Sequence, residues 1–201
     1  MSFLVAPLGP LSEFFYLKDY WQPQLMNGWK IGFEDFLFAF CIGGIAGVLY
    51  EEIFRKKTIR KQPHRNFSII IWFAIIGLLW MLIGNLILGI NSIYVSASGF
   101  ILAGIIILIL RKDLIKDAFF SAILLGTLAL FFYLVFTNIF PGIIQKWWLL
   151  HNISGIIILG APIEEIMWFF GWGLFAGPAY EFVLGSKYKE GPLDLPVVGK
   201  V

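Results

Sequence analysis

Two adjacent glutamates open an otherwise apolar stretch of this sequence. Glu164 and Glu165 stand at the head of residues 162–184, PIEEIMWFFGWGLFAGPAYEFVL. An ionised carboxylate is costly inside a bilayer, so acidic residues in such a stretch indicate a functional site. Because burial and mutual repulsion disfavour ionisation of neighbouring carboxyls, we expect one acid to stay neutral and donate a proton while another acts as a base.

The same arrangement occurs a second time in the chain. Residues 32–52, GFEDFLFAFCIGGIAGVLYEE, align without a gap with residues 162–182, PIEEIMWFFGWGLFAGPAYEF. Acids, glycines and a terminal Tyr-Glu all coincide, which predicts an internal repeat. Both copies are expected to run inward from the outer side, so the repeat is parallel, about an axis near the membrane normal. The candidate catalytic acids are Glu34 and Asp35 in the first copy and Glu164 and Glu165 in the second.

Aromatic side chains accompany the acids in both copies. Phe38 lies four residues after Glu34 and Trp168 four residues after Glu164, which places each ring on the same helix face as its acid. Aromatic faces stabilise a cation, most strongly in a site without water. Polar residues at the same depth complete the predicted pocket. The candidate substrate- or cation-binding residues are Phe38, Phe40, Trp168, Phe169, Phe170, Trp172, Asn85 and Asn138.

An acid, a base and aromatic walls open to lipid are what proton-initiated cyclisation of a polyene requires. The acid protonates a C=C bond, the carbocation closes a ring, and the base removes a proton. Paired acids also form proton or cation sites in transporters and channels, which is an alternative from a different class. Neither a glycine-rich nucleotide fingerprint nor a metal site is predicted, since His64 and His151 are isolated on opposite sides. No cofactor is required.

Composition identifies an integral membrane protein. Of the 201 residues, 59% are hydrophobic and 14% charged, and the mean hydropathy is +0.84. Soluble domains average about 25% charged residues. The net charge of +2 argues against nucleic acid as a partner and leaves membrane lipid as the surroundings.

Five apolar runs predict an all-α fold with about five transmembrane helices. A sixth apolar stretch, 147–161, is short and contains His151 and Asn152, so we interpret it as a loop or re-entrant piece. The predicted spans are 33–50, 67–90, 93–110, 118–139 and 162–184.

Basic residues orient these spans. With five spans, the basic run 55–65, the connection around Arg111 and the lysines after residue 185 all fall on one face, which is expected to be cytoplasmic. The N-terminus is then outside and the C-terminus cytoplasmic, in a multi-pass protein of the cell membrane. Three regions are predicted: a non-spanning, interfacial segment at 1–30, a single membrane domain at 31–185 and a cytoplasmic tail at 186–201.

The duplicated acidic motif resembles that of the lycopene cyclase domain family, small membrane-embedded carotenoid cyclases that do not use flavin. PIEEIMWFF and GFEDFLFAF look like the family's Pro-x-Glu-Glu/Asp motifs, and DYWQP, NIFPG and HNISGIIILGAP match segments ahead of them. The resemblance implies an isomerase of carotenoid biosynthesis that converts ψ-ends of lycopene-type polyenes to rings without net redox. It implies essential roles for the four motif carboxylates.

The sequence departs from this family in two places. Gly32 stands where the first motif has its proline, which predicts a looser entry into the first span. The family also has two spans before its first motif, where this chain has about 30 residues expected not to span. A partner subunit, a homo-oligomer contact or lipid would then replace those helices beside the polyene substrate. The alternative is a non-catalytic carotenoid- or isoprenoid-binding membrane protein, although a binder has no need of acids in both copies.

Overall fold

Long apolar helices dominate the structure, a computed structural model that describes residues 1–23, 31–56, 58–60 and 67–188. Most of the basic run 55–65 and nearly all of the tail, 189–201, lie outside the described residues. A π-helical turn, Leu82–Ile87, extends the fourth helix. The helices are α1 (Ser2–Val5), α2 (Leu8–Asp19), α3 (Phe33–Phe54), α4 (Phe67–Met81), α5 (Ser92–Leu110), α6 (Ile115–Ile139), α7 (Ile143–Trp147) and α8 (Ile163–Leu184).

The prediction of an all-α integral membrane protein is confirmed. Within the described ranges, four helical stretches are long and apolar enough to cross a membrane. They are Phe33–Phe54, Ser68–Ile87, Ser92–Leu110 and Lys112–Ile139. The fifth predicted span forms α8, whose 22 residues cover roughly 33 Å. It is not among the four, and its role as a span stays a prediction.

Helix α8 is the most buried long helix, because glycines allow its neighbours to approach closely. A Cβ on Gly173 would lie 2.5 Å from the carbonyl oxygen of Ser121 on α6, and one on Gly177 would lie 2.5 Å from the Ser121 side chain. On its opposite side, a Cβ on Gly171 would lie 3.1 Å from the carbonyl oxygen of Ala97 on α5. The glycines therefore hold α8 between α5 and α6.

The glycines of α3 receive the N-terminal segment in the same way. A Cβ on Gly43 would lie 2.9 Å from Val5, and one on Gly47 would lie 2.9 Å from Met1. Met1 and Val5 also pack against the cluster of buried residues shared by α3 and α8. Helix α1 therefore packs along the glycines of α3.

Helix α2 crosses from α3 to the start of α5. Near its beginning, Gly9 touches the backbone of Asp35 so closely that no Cβ would fit. At its end, the Asp19 carboxylate accepts hydrogen bonds from the Ser92 hydroxyl (2.6 Å) and the Ser92 backbone N–H (3.2 Å). An acid is favoured there by the partial positive charge of a helix N-terminus. The segment thus packs against the bundle, and its interfacial position on the outer side stays a prediction. Residues 1–11 contain no charged side chain, so their burial requires no desolvation of a side-chain charge.

The first acidic helix begins with a cap that explains the missing proline. Gly32 has an extended backbone (φ −128°, ψ 179°), and its N–H donates to the Asp35 carboxylate at 2.8 Å. Proline has no N–H to donate. The Glu34 carboxyl also folds over Gly32, so a side chain there would collide with it. The entry into α3 is therefore capped, in contrast to the looser entry expected from the sequence.

The connection between α6 and α8 is folded but contains no long helix. It holds the short helix α7, a 3₁₀ turn at Leu150–Asn152 and a hairpin of β2 (Ile157–Ile158) and β3 (Ala161–Pro162). The stretch 147–161 is thus a loop, as the sequence indicated. A second small sheet pairs β1 (Thr58–Arg60) with β4 (Ser186–Tyr188), so the first residues of the predicted tail join the connection after α3.

Candidate active site

Glu165 lies where α8, α2 and the loop before α8 meet. Its Oε1 accepts hydrogen bonds from the Tyr20 hydroxyl at 2.6 Å and from the Trp148 indole N–H at 3.0 Å. The Tyr133 hydroxyl also hydrogen-bonds this carboxyl. Because an indole nitrogen only donates, Oε1 is fixed as an acceptor. Any proton on Glu165 must therefore be carried by Oε2.

Glu164 is held by different partners and is 1% exposed. Its Oε1 accepts hydrogen bonds from the Tyr94 hydroxyl at 2.7 Å and from the Ser154 backbone N–H at 2.9 Å. Its Oε2 is buried and has no hydrogen-bond partner among the described residues. Buried polar atoms are nearly always paired, so an unpaired oxygen beside a fully paired one indicates a functional atom. Oε2 is the atom suited to carry a proton.

A further carboxyl, Glu13, enters the site from α2. It is 6% exposed, and its Oε2 accepts a hydrogen bond from the Trp21 indole N–H at 3.0 Å. Burial, followed by the nearby Asp35 carboxylate, raises the pKa of Glu13 from 4.5 to about 8, although the Trp21 hydrogen bond opposes this rise. Glu165 adds a smaller upward contribution to the same pKa. With this pKa, Glu13 is mostly neutral at pH 7.

Polar side chains at the end of α2 serve to attach it. Asn85, a predicted binding residue, is 1% exposed and donates to the Asp19 carboxylate and, at 3.0 Å, to the carbonyl oxygen of Ile90. The Asn91 side chain donates to the Asp19 carbonyl oxygen at 2.7 Å. Asn85 therefore anchors the N-terminal segment to the turn before α5.

Aromatic rings lie directly after the second pair of acids. Phe100 on α5 contacts Trp168 and Trp172 with ring centroids 5.4 and 5.0 Å away, and the two tryptophans stack at 6.1 Å. The Trp168 indole N–H donates to the Tyr16 hydroxyl at 2.8 Å. Phe169 meets Phe38 of α3 edge to face at 6.3 Å. Desolvated aromatic faces in this number suit a carbocation.

The structure brings together only part of the predicted set. Asp35, Glu164, Glu165, Trp168, Phe169 and Trp172 lie around the site, whereas Glu34 and Phe38 are exposed on α3. Asn138 is exposed too and donates to the Leu134 carbonyl oxygen at 2.6 Å, so it does not join the polar group. Phe40 contacts Phe3 at 5.1 Å, and Phe170 faces α6 near Gly126.

Sequence reasoning missed the residues that hold the acids. Three tyrosines and a tryptophan donate to Glu164 and Glu165, and Glu13 joins them from a segment interpreted as interfacial. The run Asp19-Tyr20-Trp21 carried a signal, since a polar and aromatic cluster within an apolar chain indicates contacts with buried polar groups. The missed residues are Glu13, Tyr20, Tyr94, Tyr133 and Trp148.

A second acidic group lies at the other end of α8. Glu181 is 1% exposed, and a hydrogen bond links its carboxyl to that of Glu51 on α3. The charges acting on it come from Asp117 on α6 and Glu51 on α3. Burial of an acid near two others lowers stability.

We expect Glu181→Gln to stabilise the fold. The amide removes a buried acid and supplies N–H donors to the neighbouring carboxylates, which should add about 1–2 kcal/mol to the free energy of unfolding. Thermal unfolding of the purified protein in detergent measures this change. The exposed Glu52 on the same helix as Glu51 provides the control, because Glu52→Gln should change stability by less than about 0.5 kcal/mol. Equal shifts for both variants would contradict the expectation.

Comparison with known proteins identifies one family. The model of the lycopene cyclase family matches residues 91–183, a little under half of the chain. This region contains α5, α6 and α8 with Glu164 and Glu165, while the first acidic motif lies outside it. No curated protein and no solved structure gives a significant match.

Proposed function

We propose that this protein cyclises the end group of a linear carotenoid-type polyene, because residues 91–183 match the model of the lycopene cyclase family. The reaction needs one proton donor and one proton acceptor and involves no net redox change. One C–H bond forms, one C–C bond closes the ring, and one C–H bond breaks. The four motif acids are the groups assigned to this proton chemistry.

The observation that carries the proposal is the asymmetry of the Glu164 carboxyl. Oε1 is held by two donors, so the carboxyl group has a fixed position, and Oε2 stays unpaired in a buried place. When this carboxyl is protonated, its proton is carried on Oε2, which has no hydrogen-bond partner among the described residues. We assign Glu164 as the proton donor to the end-group alkene.

The surroundings support the remaining steps. The three rings of Phe100, Trp168 and Trp172 offer faces that stabilise the tertiary carbocation and exclude water that would trap it as an alcohol. We assign Glu165, whose Oε1 accepts hydrogen bonds from Tyr20 and Trp148, as the base that takes the proton lost after ring closure. Exposed apolar side chains on the outer helices fit a protein that receives its substrate from surrounding lipid.

Expression of this chain in a bacterial host that accumulates lycopene tests the proposal. Chromatography of the extracted pigments should show loss of lycopene and appearance of monocyclic or bicyclic carotenes. Unchanged lycopene that purifies with the protein would favour the non-catalytic carotenoid binder. Unchanged lycopene that does not bind would contradict the proposed substrate, or show that a partner subunit is required. Co-expression with a candidate partner distinguishes these two.

A further inference from the structure

Ring closure can end in three isomers, and the base determines which of them forms. In the end group of a linear carotenoid-type polyene, the tertiary cation left by ring closure has three neighbouring carbons that carry hydrogen. Loss of a proton from each neighbour gives a different position of the double bond. These three carbons lie only about 2.5 Å from one another, since C–C bonds are about 1.5 Å long. The product therefore depends on where the base is held.

The backbone of Tyr20 is fixed on both sides of the residue. Before it, Asp19 is bound to the N-terminus of α5. After it, the Gln22 N–H donates to the Trp147 carbonyl oxygen at 2.7 Å, and the Leu149 N–H donates to the Tyr20 carbonyl oxygen at 2.9 Å. The end of the N-terminal segment is thus paired with the loop before α8, and the Tyr20 side chain is buried.

The side chains of Tyr20 and Trp148 form a triangle with Glu165. The indole N–H donates to the Tyr20 hydroxyl oxygen at 3.2 Å as well as to Glu165 Oε1 at 3.0 Å. Because the hydroxyl oxygen accepts from the indole, its own proton is directed to Glu165 Oε1, at 2.6 Å. Tyr133 is a third donor to the same carboxyl. Hydrogen bonds to an ionised carboxylate are strong, so this arrangement restricts rotation of the Glu165 carboxylate.

We propose that Tyr20 is a positioning residue that fixes the Glu165 carboxylate and so determines which isomer of the cyclic product forms. This inference rests on the proposed cyclisation. In the step concerned, a C–H bond next to the cation breaks, its electron pair becomes the second bond of the C=C double bond, and the proton passes to Oε2 of Glu165. Tyr20 acts through the carboxylate and takes no part in bond breaking.

The ratio of cyclic isomers made by Tyr20→Phe tests this assignment. Phenylalanine keeps the ring and removes only the hydroxyl, so Oε1 loses a donor and the carboxylate can rotate more freely. A shift of about 1 Å in a reacting group changes a rate by as much as about 100-fold. Pigment chromatography from a lycopene-accumulating host should show the ratio of minor to major isomers at least about fivefold higher than in wild type, or about 1 kcal/mol between barriers.

Tyr180→Phe is the matched control, because it makes the same chemical change at an exposed residue of α8. It should leave the isomer ratio at the wild-type value. Tyr133→Phe removes another donor from Glu165 and should also raise the ratio, so it replaces Tyr20→Phe if that variant does not fold. An unchanged ratio in the variant that folds would overturn the proposal, as would an equal change in Tyr180→Phe. Complete loss of cyclic product from folded Tyr20→Phe would overturn it too, since the hydroxyl would then be needed for the reaction itself.

Infrared spectroscopy separates this inference from the proposed function, because it needs no substrate. The carboxyl band of Glu165, identified by its loss in Glu165→Gln, should shift in Tyr20→Phe and stay unchanged in Tyr180→Phe. A wild-type protein that forms rings, together with a band that does not shift, would overturn the positioning role alone. A band that shifts, in a protein that forms no rings, would contradict the proposed cyclisation and with it the control of the isomer.

Discussion

Glu164→Gln is expected to lower ring formation by at least about 100-fold while the protein still inserts and folds. The glutamine side chain keeps an oxygen that accepts from Tyr94 and Ser154, so the local packing is preserved. The second position becomes an amide nitrogen, which cannot protonate an alkene. Pigment analysis in a lycopene-accumulating host, normalised to the amount of protein in the membrane, measures the effect.

The control for this substitution is Glu52→Gln, the same chemical change at an exposed position on α3. It should leave ring formation at the wild-type level. Cyclic carotenes formed by Glu164→Gln at a rate similar to wild type would show that another group donates the proton. Loss of the protein from the membrane in Glu164→Gln alone would instead indicate that the buried carboxyl is needed for folding.

Gly173→Ala is expected to destabilise the protein by about 1–3 kcal/mol, because the added methyl group overpacks a backbone contact. Its Cβ would lie 2.5 Å from the Ser121 carbonyl oxygen, and backbone atoms cannot rotate away as a flexible side chain can. Helix α8 must then move away from α6. This movement displaces Glu164 and Glu165 from their hydrogen-bond donors. Thermal unfolding in detergent and ring formation should therefore decline together.

Gly77→Ala is the matched control, since nothing lies within 4 Å of a Cβ built at this glycine of α4. Alanine has the higher helix propensity, so this variant should be equal to wild type or more stable by up to about 1 kcal/mol. The two substitutions are chemically identical and differ only in the space available. Equal stability of the two variants would contradict the close packing of α8 on α6.

Sequence patterns predicted the helices well, because a long apolar run in lipid satisfies its backbone hydrogen bonds by forming a helix. The run 93–110 corresponds to α5 at Ser92–Leu110, and the run 162–184 to α8 at Ile163–Leu184. The acids of the second motif were also found, since their cost in an apolar stretch is visible without a structure. The internal repeat stays a prediction.

The residues that hold the acids could not be predicted in the same way, because their partners are distant in sequence. Tyr20 donates to Glu165 across 145 positions, and no periodicity within either helix indicates that contact. Glu181 is a second residue that its own helix does not explain. It lies near the end of α8 and yet is 1% exposed, with Asp117 of α6 and Glu51 of α3 nearby. Burial of a helix end depends on its neighbours and not on its own sequence.

The long-range attachment of α2 has a consequence for the order in which the protein is made. Asp19 binds Ser92, and Tyr20 binds Glu165, so the first helices to leave the ribosome acquire their partners only after most of the chain has been synthesised. During translation, the glycines of α3 can be covered early, whereas the carboxyl site closes last. The apolar helices are therefore synthesised before the site is complete, and assembly ends when the N-terminal segment docks against the later helices.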